Sequence, residues 1–84
     1  MNKHEAHSDR LDAEERRELK DSDFGIPESR EFPMPDAAHV RAAESYFRYA
    51  PEDKKGELAR RILQKAEKFG VHVSSPVVLE WAKK

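Results

Sequence analysis

The fold is decided by residues 36–70, which read DAAHVRAAESYFRYAPEDKKGELARRILQKAEKFG. Pro51 divides this stretch in two, because proline ends one helix and fits the first turn of the next. Apolar residues recur at helical spacing in both halves, and they are Val40, Ala43, Phe47 and Ala50, then Leu58, Ala59, Ile62, Leu63, Ala66 and Phe69. The very short connection between the halves predicts an antiparallel helical hairpin.

Residues at the ends of the two halves predict where the helices begin and end. Asp36 follows Pro35 and is a favourable N-cap for the first helix. Gly70 follows Phe69 and can adopt the left-handed conformation that ends many helices. The second helix is therefore expected over about residues 52–69.

Residues 21–36, DSDFGIPESREFPMPD, have a different character. Three prolines and a glycine exclude a continuous helix or a central strand. Phe24, Ile26, Phe32 and Met34 are nevertheless too apolar for a disordered linker. We predict an extended, proline-rich strap, in polyproline-like or β geometry, that lies over the helices. Its prolines lower the entropy lost on docking.

The two ends of the chain give weaker patterns. Residues 1–10 have no periodicity and are expected to be a disordered tail. Residues 11–20 contain helix formers but only two large apolar residues, Leu11 and Leu19, so a docked helix there remains open. Near the other end, Ser75 and Pro76 predict the start of a short C-terminal helix. Val78, Leu79, Trp81 and Ala82 of that helix are expected to cover the hairpin.

These patterns predict a mainly α fold. We expect one small helical domain over residues 11–84, with its core in residues 23–82, because 84 residues allow only one domain. It consists of a helical hairpin, an extended strap and a short C-terminal helix.

Composition limits the classes of function. Residues 1–50 hold eight Lys/Arg and twelve Asp/Glu, which gives a charge of −4. Residues 51–84 hold eight Lys/Arg and five Asp/Glu, which gives +3, so the net charge of −1 is unevenly distributed. There is no cysteine, which excludes disulfides and thiolate metal sites and is typical of a reducing compartment. No apolar run is long enough for a signal peptide or a membrane span. We expect a cytoplasmic monomer.

The sequence lacks the usual signatures of an enzyme. No Ser, Cys or Lys is placed beside a base as an activated nucleophile would be. The three glycines are far apart, so no glycine-rich phosphate loop exists. His4 and His7 are three residues apart but have no third ligand, so a metal is not expected. We predict a protein without catalytic activity or cofactor.

His39 and Arg30 each allow two interpretations. His39 lies on the border of the apolar stripe of the first helix, near Ala43 and Tyr46. It is either a binding residue or a packed residue that bonds Asp36 or a strap carbonyl, and packing is favoured because buried polar groups are usually satisfied. Arg30 either pairs with Asp36 or another acid and pins the strap, or it faces a partner.

The second helix carries a basic face formed by Lys54, Arg61, Lys65 and Lys68. Such a face can contact the phosphates of a nucleic acid. However, Glu57 precedes Arg61 by four residues and partly neutralises it. No aromatic residue interleaves with these cations, as single-strand binding would require. A solvated charged face is therefore the favoured interpretation.

From Phe24 to His39 the chain has the pattern FGIP-x-x-R-x-FPM-x-D-x-x-H. This pattern resembles a small helical domain of unknown function that recurs in phage and prophage proteins and in short bacterial proteins. The resemblance covers roughly residues 23–69, and the first twenty residues and the tail after Gly70 lie outside it. It implies a compact module in which strap, Arg and His belong together, and it implies no reaction.

The function predicted from the sequence is therefore non-enzymatic. We expect an accessory or adaptor module, phage-related by resemblance, that binds another protein through the strap and the adjacent helix surface. The candidate contacts are Phe24, Arg30, Phe32 and His39. The alternative is a nucleic-acid-binding accessory domain that uses Lys54, Arg61, Lys65 and Lys68.

Overall fold

The computed structural model describes residues 17–84. A 3-10 turn at Asp21–Asp23 leads into strands β1 (Phe24–Ile26) and β2 (Glu31–Pro33), followed by helix α1 (Ala37–Tyr46), a 3-10 turn (Phe47–Tyr49) and helices α2 (Glu52–Phe69) and α3 (Pro76–Ala82). The prediction of a mainly α fold is confirmed. The predicted tail at residues 1–10 lies outside the described residues. Of the stretch 11–20 only residues 17–20 are described, and residues 17 and 18 are helical.

The helices begin and end at the residues that local chemistry favours. Asp36 caps α1 by accepting the backbone N–H of His39 at 2.9 Å. Gly70 ends α2 with φ of 71°. The end of α1 differs from a regular helix, since it tightens into the 3-10 turn and Ala50 is extended at ψ 152°. The reason is Pro51, because the residue before a proline is disfavoured in the α conformation.

The proline-rich strap is folded back on itself. β1 and β2 pair antiparallel, with Phe24 opposite Pro33 and Ile26 opposite Glu31. The turn between them is closed by the N–H of Arg30, which donates to the carbonyl of Pro27 at 3.1 Å. The predicted β geometry is present, but as a small hairpin rather than as one extended ribbon.

The hydrophobic core lies where α1, α2, α3 and β1 meet. The largest fully buried side chains come from all four elements, from the 3-10 turn after α1 and from the residue that follows β2, and they are Phe24, Phe47, Met34, Leu58, Ile62, Val40 and Val78. The apolar stripes of the two long helices therefore face inward, as their spacing predicts.

Helix α3 covers one side of this core less completely than expected. Val78 is fully buried and Trp81 is half-buried. Leu79, which was expected to cover the hairpin, is 38% exposed, because in so short a helix only one face meets α2. The Ser75 cap is present, with its Oγ accepting the N–H of Val78 at 3.4 Å. The carboxylate of Glu44 on α1 accepts the Ser75 N–H at 2.9 Å and ties the segment before α3 to α1.

Gly25 permits a close approach of β1 to α2. A Cβ at this position would overlap Cδ1 of Leu58 and would lie 3.1 Å from Cβ of Phe32. A side chain at position 25 would therefore push the hairpin away from the core.

No helix within residues 17–84 is both long enough and apolar enough to cross a membrane.

Candidate functional site

A groove of about 470 Å³ lies between β2 and α1. Its lining comes from all three residues of β2, from one face of α1, and from the chain between Tyr49 and Pro51. We call it the β2–α1 groove. Most of its lining is apolar or aromatic, which is typical of binding sites for small molecules and peptides.

His39 is the buried polar residue of this groove. Its ring is only 4% exposed, although the imidazole is polar. Nδ1 of His39 lies 2.7 Å from Oδ1 of Asp36, the same oxygen that caps α1. The carboxylate can only accept, so Nδ1 carries the proton that joins the two side chains.

Asp36 responds to this contact electrostatically. Partial burial raises the pKa of its carboxyl group, but the hydrogen bonds from the His39 ring and the His39 backbone N–H outweigh burial. The net effect is a pKa below the usual value for aspartate. Asp36 is therefore a carboxylate at neutral pH, and it fixes the tautomer of His39.

The other ring nitrogen of His39 has no hydrogen-bond partner among residues 17–84. This atom, Nε2, is buried. When the ring carries a single proton, on Nδ1, Nε2 is an acceptor. Buried polar atoms without a partner are rare in native proteins, and the residue that carries this one lines the groove.

Two tyrosines form the rim of the groove. Tyr46 is 56% exposed and Tyr49 is 69% exposed, and their ring centroids are 6.3 Å apart. The guanidinium of Arg48 lies 5.2 Å from the centroid of the Tyr49 ring. Tyr46 and Tyr49 are among the few large apolar side chains that the described part of the chain exposes to solvent.

The backbone of β2 is strained beside the groove. Phe32, half-buried in the lining, has a φ of 59°, and Arg30 has a φ of 54°. A left-handed conformation is rare for a residue as bulky as phenylalanine and costs about 1–2 kcal/mol. Such outliers cluster at binding and active sites.

The predicted contacts Phe24 and Arg30 lie elsewhere. Phe24 is fully buried, so the structure places it in the core and away from the surface. The guanidinium of Arg30 lies 4.4 Å from the centroid of the Phe24 ring, and it pairs with Asp21 at 3.2 Å. Arg30 therefore holds the hairpin against the preceding turn, with Asp21 rather than Asp36 as its acid. Phe32 and His39 are brought together in the groove.

Most cations on the basic face of α2 form ion pairs with acidic side chains. Three of its cations pair with carboxylates, namely Lys54 with Glu28 at 2.7 Å, Arg61 with Glu57 at 3.1 Å and Lys65 with Asp23 at 3.4 Å. The hydrogen bond to Glu28 raises the pKa of Lys54 and lowers that of the carboxyl group. Lys68 lies over the ring of Phe69, with its Nζ 5.3 Å from the centroid.

The sequence did not identify Tyr49 and Glu31 as groove residues. The two tyrosines are three residues apart, a spacing that places side chains on the same side of a helix, and this was the available signal for Tyr49. Glu31 had no such signal, because its position depends on how β2 packs on α1.

No group of three or more His, Asp or Glu is placed to hold a metal among residues 17–84.

Fold and site together define a small mainly α domain with a β-hairpin and a tyrosine-rimmed groove. The chain belongs to the family of unknown function DUF6582, whose model matches residues 1–76. The matched stretch is longer than residues 23–69, the stretch of the resemblance, on both sides. No curated protein matches the chain, and no solved structure does.

Proposed function

We propose that this protein is a non-catalytic accessory or adaptor module that binds another protein through the β2–α1 groove. The observation that carries this is the pair of exposed tyrosines, Tyr46 and Tyr49, beside a groove with a mostly apolar lining. Tyrosine is enriched among the residues that dominate binding energy at protein interfaces, since its ring contributes large area at low entropic cost.

The strained residue Phe32 adds support. A partner that packs on the groove binds more tightly when a groove side chain is already held in its bound position, because less entropy is lost on binding. The positive φ of Phe32 aims its ring in a direction that an ordinary strand conformation would not give. The strain is thus consistent with a preorganised surface.

The groove lining favours binding over catalysis. An Asp–His pair in nucleophilic catalysis serves a hydroxyl or thiol group. Among residues 17–84, those that line the β2–α1 groove include no Ser, Thr, Cys or Lys, and its hydroxyl groups are those of Tyr46 and Tyr49 at the rim. The non-enzymatic part of this proposal is supported by that composition.

The nucleic-acid alternative is less well supported. Lys54, Arg61 and Lys65 would have to exchange carboxylate partners for phosphates, which reduces the gain from each contact. Lys65 is only 14% exposed, so its ammonium has little open surface for a phosphate.

The phage-related part of the proposal is supported by the resemblance of residues 24–39, and genes for capsid or packaging proteins beside this gene would support it further.

Site-specific photo-crosslinking tests the proposed function. p-Benzoylphenylalanine replaces Tyr49 at the groove or Lys68 on α2, and each protein is illuminated in extract of the native organism. We expect a discrete protein adduct from position 49 that survives nuclease treatment, and none of that size from position 68. A nuclease-sensitive adduct from position 68, with none from position 49, would overturn the proposal in favour of nucleic-acid binding.

A further inference from the structure

The polar groups of the β2–α1 groove are mainly hydrogen-bond acceptors. Glu31 contributes a carboxylate, and His39 contributes Nε2, which is an acceptor when the ring carries its single proton on Nδ1. Pro33 and Pro51 in the lining have no N–H to donate. The tyrosine hydroxyl groups can donate or accept. A ligand that matches this lining must supply donors.

Charge narrows the choice of donor. In the described part of the chain, the residues that line the groove include Glu31 and no Lys or Arg, and the Asp36 carboxylate bonds Nδ1 of His39. The guanidinium of Arg48 lies over the ring of Tyr49, and Arg48 is not one of the residues that line the groove. A positively charged donor is therefore complementary to the groove. Lysine and arginine are the side chains that only donate and carry that charge.

The aromatic lining favours arginine over lysine. A planar guanidinium stacks on aromatic rings and is less strongly hydrated than an ammonium group. Arg30 over Phe24 and Arg48 over Tyr49 are examples in this protein. Lysines also lie over its rings, as Lys68 does over Phe69, so the preference for arginine depends on the planarity and weaker hydration of the guanidinium. Tyr46 and Phe32 provide further ring surface at the groove.

We propose that the β2–α1 groove binds an arginine side chain of the partner protein, with its guanidinium between the Glu31 carboxylate and the tyrosine rings and within reach of His39 Nε2. This deepens the proposed function and rests on it. Nε2 is closed to solvent in the free protein, so its hydrogen bond requires a lining side chain to change rotamer as the guanidinium enters. Exposed side chains make such changes in picoseconds to nanoseconds.

Titration of the full-length, isotope-labelled protein with small probes tests this inference without the partner. The probes are the N-acetyl methylamides of arginine, of citrulline, which has the same shape without the charge, and of glutamate. We expect the arginine probe to shift the NMR signals of Phe32, His39 and Tyr49 saturably, including the Nε2 signal of His39. Citrulline should bind at least about threefold more weakly, as expected for loss of an exposed ion pair.

Two exposed carboxylates provide a matched pair of variants. Glu31→Gln should weaken the arginine probe about threefold, whereas Glu57→Gln on α2 should leave it unchanged. Equal binding of citrulline and arginine, tighter binding of glutamate, or no saturable shift at the groove would overturn the inference. If position 49 still crosslinks a protein partner in that case, the proposed function stands and only the arginine is wrong.

Discussion

A single oxygen of Asp36 joins two parts of His39: Oδ1 lies 2.9 Å from the backbone nitrogen of His39 and 2.7 Å from its Nδ1. The first contact caps α1, and the second fixes the imidazole at the groove. The start of the helix and the orientation of the groove residue therefore depend on the same carboxylate.

Substitutions at Asp36 separate the cap from the charge. Asp36→Ala should lower the free energy of unfolding by about 0.5–2 kcal/mol, because the first turn of α1 loses its cap. Asp36→Asn should cost less, since asparagine caps equally well. Urea unfolding at neutral pH measures both. A loss for Asp36→Asn as large as that for Asp36→Ala would show that the charged contact with His39 outweighs the cap.

The stability of the protein should fall in acid partly through Asp36. Its folded-state pKa is lower than the ordinary 3.8, so its contribution favours the folded state at higher pH. That contribution is fully present above about pH 5 and is lost as the pH falls through the folded-state pKa. As the pH falls from 7, the free energy of unfolding should therefore decrease less for Asp36→Asn than for the parent, as measured by urea unfolding at each pH. Identical pH profiles would contradict this assignment.

Gly25 and Gly56 should respond to alanine with opposite signs. Gly25→Ala places a methyl group against Cδ1 of Leu58, a fully buried side chain that must repack within the core to make room. We expect a loss of about 1–3 kcal/mol, as for other overpacked sites. Gly56 lies within α2, and its nearest neighbour to an added Cβ is 3.6 Å away, so alanine should stabilise by about 0.5–1 kcal/mol. Thermal melts compare the two, and equal shifts would argue against the close approach of β1 to α2.

Truncation of the core should destabilise strongly. Phe47→Ala or Ile62→Ala should each cost about 2–5 kcal/mol, a large part of the stability of a domain this small. Val77, 52% exposed on α3, is the matched control. Val77→Ala should change stability by less than about 0.5 kcal/mol. A near-normal melting temperature for Phe47→Ala would mean that the 3-10 turn after α1 does not contribute to the core.

The features of the fold that the sequence predicted are those determined by residues close together along the chain. The Asp36 cap, the break at Pro51 and the left-handed end at Gly70 are each determined within a few positions along the chain. The inward-facing apolar stripes follow from helical spacing in the same way. The ion pair between Glu57 and Arg61 was also foreseen, because four residues along a helix bring side chains together.

What the sequence could not predict depends on distant contacts. Lys54 pairs with Glu28 and Lys65 pairs with Asp23 across 26 and 42 positions, so a helical wheel shows both cations as free. The groove exists only because β2 packs on α1. The positive φ of Phe32 has no local sequence signal, since phenylalanine normally avoids that conformation.

The most direct test of the proposed function is the affinity of the partner captured at position 49 for three proteins. These are the parent, the groove variant Tyr46→Ala/Tyr49→Ala, and a variant with Lys54, Arg61, Lys65 and Lys68 all changed to glutamine, each checked for folding by circular dichroism. We predict that titration calorimetry shows at least about a tenfold loss of affinity for the groove variant, as for interface tyrosines in general, and little change for the other. Unchanged affinity of the groove variant, with loss on removal of the four cations, would contradict the account.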